Sequence, residues 1–126
     1  MVVGTPVASA SYPNMKWVTF DGTDCNGAGV HGTTCKTFGE MGILEVMREA
    51  TGIYKIYWSQ AFDDNNYALL CNSNVESHSG AVCIVGGNND ATASYYGIST
   101  QFALIETRRM ADNGNQDADY IAVLAF

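Results

Sequence analysis

Hydrophobic and polar side chains alternate residue by residue in several separate stretches of this chain. Lys16-Trp17-Val18-Thr19-Phe20 is the first, closed by an Asp21-Gly22 turn signal. In the stretch 53–59, Tyr54, Ile56 and Trp58 fall on one face and Ile53, Lys55 and Tyr57 on the other. Between Ser99 and Arg108, Phe102 and Leu104 share one face, while Gln101, Ala103 and Ile105 share the opposite one. A period of two over such lengths predicts antiparallel strands. Ala81–Val85 reads as a further strand, and Tyr120–Phe126 is apolar at every position. A wholly apolar strand belongs at the centre of a sheet or at a subunit interface, because exposed it would invite aggregation.

The ambiguous segment is Gly42–Glu49. Leu44, Met47, Arg48 and Glu49 are good helix formers. Eight residues between glycines suit a strand better, since helices usually need about ten or more. Ala50-Thr51-Gly52 then forms a hairpin turn into 53–59, and that strand is expected to pair with 67–71 across the polar turn at 63–66. Residues 21–40 hold five glycines and leave room only for short strands, around Val30 and Thr34–Phe38.

The wording of Gly52-Ile53-Tyr54-Lys55-Ile56-Tyr57-Trp58-Ser59-Gln60-Ala61-Phe62, then Asp63-Asp64-Asn65-Asn66 and Tyr67-Ala68-Leu69-Leu70-Cys71, adds to its period. This run resembles a β-sandwich domain common in bacteriophage tail-fibre and other virion proteins. Trp17-Val18-Thr19-Phe20-Asp21-Gly22 and the apolar C-terminal strand are similar to its two ends. That domain is related to the H-type lectins, six-stranded antiparallel sandwiches that associate as trimers. The resemblance covers roughly residues 15–126 and is carried by packing residues, so it speaks to fold before activity. It implies an all-β antiparallel β-sandwich of about six main strands, trimeric, located in the virion as a short fibre, fibre tip or capsid decoration. The insert around Cys25–Cys35 departs from the pattern. A stand-alone H-type-like glycan-binding lectin is the alternative. No residue of the lectin sugar site maps onto this chain.

Composition narrows the partners. At 126 residues the chain is one domain with a short arm, large enough for a core without metal or cofactor. The arm, residues 1–14, holds both prolines, Pro6 and Pro13. Met1–Ala10 lacks the basic start of a signal peptide, and Pro6 interrupts its apolar run, so it reads as an extended attachment arm for other virion proteins. A net charge of −7 with six Lys and Arg gives no phosphate-binding surface, so nucleic acid is not an expected partner. No apolar run approaches the ~20 residues that span a bilayer, so membrane insertion is not expected.

Chemistry finds few candidates. Cys25 and Cys35, and Cys71 and Cys83, form two local pairs that bracket polar loops. They are candidate disulfides, each worth about 2–3 kcal/mol, or else four reduced buried thiols. Cys25-x5-His31-x3-Cys35 offers three zinc ligands but no Cys-x-x-Cys anchor. Asp112, Asn113, Asn115, Asp117 and Asp119 crowd one loop without EF-hand spacing, which leaves a solvated turn. His78 in Ser77-His78-Ser79-Gly80 lacks the strand–elbow–helix context of a nucleophile, and Asp63-Asp64 point apart. No enzyme and no cofactor is expected. His78, Tyr95 and Tyr96 are the candidate glycan contacts, since aromatic faces beside Asn and Asp suit a sugar. A core or interface role for those tyrosines is the competing reading.

Overall fold

In a computed structural model, the described residues are 15–74, 81–85, 98–110, 112 and 114–126. They form two antiparallel sheets and no helix. The strands are β1 (Lys16–Asp21), β2 (Gly27–Ala28), β3 (Thr33–Thr34), β4 (Lys36–Met41), β5 (Ile43–Ala50), β6 (Ile53–Trp58), β7 (Leu69–Asn74), β8 (Ala81–Val85), β9 (Phe102–Arg109) and β10 (Tyr120–Ala125). One sheet has the order β4-β1-β10-β7, the other β2-β3-β5-β6-β9-β8. The expected count of about six main strands becomes eight of five or more residues with two short ones. β4 and β5 are one run of sequence that Gly42 bends from one sheet into the other, at φ +73°. A left-handed backbone there suits glycine, which has no Cβ to clash.

Alternation sets the faces. Val18 and Phe20 of β1, Ile121, Val123 and Ala125 of β10, Val46 of β5, Tyr54, Ile56 and Trp58 of β6, and Ala103 and Ile105 of β9 meet between the sheets. Phe20 and Tyr54 pack edge to face at 5.3 Å across the two layers. Burial of these side chains at roughly 25 cal/mol per Å2 of apolar surface is the main force holding the layers together. β6 is buried on both faces, with Tyr54, Ile56 and Trp58 in the core between the sheets and Ile53 and Lys55 buried on the opposite face, while β5 and β9 take its two edges. The β5–β6 hairpin turns at Gly52, φ +70°.

The expected hairpin between 53–59 and 67–71 does not form. Both edges of β6 are occupied by β5 and β9, and β7 pairs with β10 in the opposite sheet. The connection 59–68 crosses between the layers instead. Aromatic packing fastens it: Phe62 and Tyr67 stack at 4.0 Å, and both meet Trp58 edge-on. The Tyr67 hydroxyl donates to the Ser99 carbonyl at 2.7 Å, and the Phe62 N–H donates to the Thr100 carbonyl at 2.8 Å.

Both local cysteine pairs are bonded, Cys25 to Cys35 and Cys71 to Cys83. The second links β7 to β8, the adjacent outer strands of different sheets. It therefore closes one open side of the sandwich. The arm 1–14 lies outside the described residues.

Candidate interaction surface

The four-stranded sheet turns one face to the core and one away from it. Register aligns the outward side chains in rows across all four strands. Met41, Trp17, Leu124 and Leu70 form the first row. Gly39, Thr19, Ala122 and Asn72 form the second. A bulge places Phe38 as the extra residue of β4, between Gly39 opposite Thr19 and Thr37 opposite Phe20. The extra residue breaks strict alternation. Phe38 thereby lies parallel to Tyr120, ring centroids 5.9 Å apart.

Outward positions on an antiparallel sandwich are usually polar. Here neither of these two rows carries a charged side chain, and the charged pair on this face, Asp21 opposite Lys36, stands beside them. Leu70 is 57% exposed, Met41 44%, Phe38 53% and Tyr120 43%. Phe126, just past β10, is half exposed as well. The small residues of the second row leave an open hollow of about 350 Å3 beside Trp17, Leu124 and Leu70. Contiguous apolar surface of this kind marks a contact surface more often than a solvated one.

Polar clusters elsewhere fasten the fold. Asp117 accepts from the Gly52 N–H at 2.8 Å, the Tyr54 hydroxyl at 2.8 Å and the Arg48 guanidinium at 2.8–3.0 Å. Burial alone would raise the Asp117 carboxyl, but the hydrogen bonds from Arg48, Gly52 and Tyr54 outweigh it and hold the group below its ordinary value. Burial, then the bond to the Asp117 carboxylate, pushes the Tyr54 hydroxyl far up. Burial also raises Tyr67. Near β3, Glu45 accepts from the Val30 and His31 N–H groups at 2.9 Å each and from His31 Nδ1. The His31 ring stacks on Tyr57 at 3.8 Å. This arrangement locks the loop between β2 and β3 onto the six-stranded sheet.

The residues singled out for chemistry fare differently. His78, Tyr95 and Tyr96 lie outside the described residues. Cys25 and Cys35 are bonded to each other, so neither is a free thiolate for a zinc ion beside His31. The loop after β9 spends its carboxylates on protein donors, Asp112 on Arg109 and the Gly114 N–H, and Asp117 as above. Among the described residues no three His, Cys, Asp or Glu side chains gather where a metal ion would sit. The outward row was only half visible in sequence. The all-apolar β10 announced it, but Trp17, Met41 and Leu70 sit on strands whose alternation gives no sign of which face meets the core.

No known protein family, no curated protein and no solved structure matches this chain.

Proposed function

We propose that this chain is a structural subunit of a bacteriophage particle, a short fibre, fibre tip or capsid decoration that acts as a passive assembly and adhesion module. The observation that carries the reading is the pair of uncharged, largely apolar rows on the outward face of the four-stranded sheet, Met41-Trp17-Leu124-Leu70 and Gly39-Thr19-Ala122-Asn72, bordered by the Asp21–Lys36 pair. A subunit that works by being held in an array needs such a face, whereas a monomer in solution is harmed by one. The similarity of 52–71 and of the chain ends to virion sandwiches supplies the viral setting and the trimer. Two disulfides and a two-layer core suit a module that must persist outside a cell.

The decisive experiment is mass spectrometry of purified particles from a culture producing the chain. A fixed copy number, in multiples of three, is expected in intact particles. Recovery solely from the unassembled fraction would contradict the proposal.

One observation favours a second reading, a glycan-binding lectin. Phe38 and Tyr120 form an exposed pair of nearly parallel, stacked rings, 13° between their planes, with Asn74 paired beside Tyr120. An exposed aromatic ring with an adjacent amide suits a sugar's apolar face and hydroxyls. Glycan-array binding that Phe38→Ala abolishes would support it. An array with no signal would remove it.

A further inference from the structure

We infer that the arm, residues 1–14, folds back over the outward face of the four-stranded sheet and covers it while the chain is free. The inference rests on the reading of that face as a contact surface and adds its regulation: a neighbour in the particle takes the face by displacing the arm.

The start of β1 leaves the arm one open route. Tyr12-Pro13-Asn14-Met15 stands just ahead of β1, with Pro and Asn in the two central positions that a β-turn favours. A reversal there sends the preceding residues back along β1. Beside β1 there is no room, because β10 holds one edge and β4 the other. Behind it, Val18 and Phe20 are fully buried in the core between the sheets. The outward face is the side that remains. Charge selects the same place. Residues 1–14 contain no Asp, Glu, Lys, Arg or His, although the whole chain carries 13 acidic and six basic residues. An uncharged arm bearing Val7, Ala8, Ala10 and Tyr12 gains most from the two uncharged rows, where both surfaces give up little hydration and bury apolar area.

Dimensions agree. All four strands are six residues long, so at ~3.3 Å per residue the face is about 20 Å from end to end. The extended residues 1–12 reach about 40 Å, enough to cross it. Running antiparallel to β1 from the turn, Tyr12 falls against Met15, Ala10 against Trp17 and Ala8 against Thr19. Ala10 thus meets the first row and Ala8 the second, where small residues leave the hollow beside Trp17, Leu124 and Leu70. Pro6 reaches the end of the face where Phe38 and Tyr120 stack. Extended proline-bearing segments dock on exposed aromatic rings in this way, because their backbone loses little freedom on binding.

Trp17 reports the cover. In a full chain carrying Trp58→Phe it is the single tryptophan. At a concentration where sedimentation shows single chains, its emission should be blue and weakly quenched by acrylamide. Ala8→Glu with Ala10→Glu places carboxylates where the arm meets the rows. Emission should then move to the red and quenching rise several-fold, with the far-ultraviolet spectrum unchanged. In the unsubstituted chain, nuclear Overhauser cross-peaks should join Pro6 to the rings of Phe38 and Tyr120. A red, freely quenched Trp17 beneath the unaltered arm would overturn the inference. So would blue emission that the two glutamates leave in place, or an unsubstituted chain without those cross-peaks. Blue emission that is lost on dilution to single chains would show another copy as the cover, and would overturn it as well. None of these results bears on recovery of the chain from particles, so the assembly reading stands or falls separately.

Discussion

Replacing Asp117 by alanine removes one carboxylate from four donors on three parts of the fold. The Gly52 N–H, buried in the β5–β6 turn, donates to Asp117 at 2.8 Å. Leaving such a group unsatisfied costs about 1–3 kcal/mol. Arg48 and Asp117 are partly exposed, so their ion pair adds only about 0.5–1 kcal/mol. The Tyr54 hydroxyl keeps the Gly22 carbonyl at 3.1 Å and is not orphaned. The expected loss is therefore about 2–4 kcal/mol, which lowers the melting temperature of a domain this size by roughly 6–16 °C. The pH dependence has a definite sign. The folded carboxyl titrates below its ordinary value of 3.8, so its contribution is complete above that value and is lost as pH falls through the folded one. Circular dichroism melts of wild type and Asp117→Ala should differ fully at pH 7, and the gap should narrow below about pH 4. An unchanged melting temperature at pH 7, or a gap that widens in acid, would refute the hub.

Three further expectations follow from the packing. Gly52→Ala must place a Cβ 2.5 Å from the Thr107 carbonyl oxygen at φ +70°, both backbone constraints, and should cost at least about 2 kcal/mol in urea unfolding. Cys71→Ser with Cys83→Ser opens the tie between β7 and β8 and should lower stability by about 2–3 kcal/mol, with spectra of the folded state unchanged. Trp58→Ala empties the junction of β6 with Phe62 and Tyr67 and should cost about 3–5 kcal/mol, whereas Phe38→Ala, more than half exposed, should stay within about 0.5 kcal/mol.

Strand positions were legible because burial imposes a period of two. Val18 and Phe20, Tyr54, Ile56 and Trp58, and Ala103 and Ile105 each share a face as the alternation groups them, and packing then turns those faces to the core. Partners were not legible, because alternation says which way a side chain points and nothing about which strand lies beside it. The 53–59 and 67–71 segments are close in sequence, yet β5 and β9 claim both edges of the first. The bulge at Phe38 was equally hidden. It depends on how β4 lies along β1, and no residue of Lys36–Met41 signals it alone. Asp117 looked like a solvated loop acid since its partner, Arg48, is 69 residues away in sequence. The apolar C-terminal strand did point to a contact surface. Its neighbours on that surface, Trp17, Met41 and Leu70, became visible only when register joined them into a row.

The chain has two tryptophans, and they report on opposite sides of the four-stranded layer. Trp58 is in the core at 4% exposure, and Trp17 lies in the outward row. Hydroxyl-radical footprinting of intact particles, read by mass spectrometry, measures the two side by side. Trp17 should be nearly as protected as Trp58. Rapid oxidation of Trp17 in the particle, with Trp58 spared, would contradict burial of the outward face in the assembly.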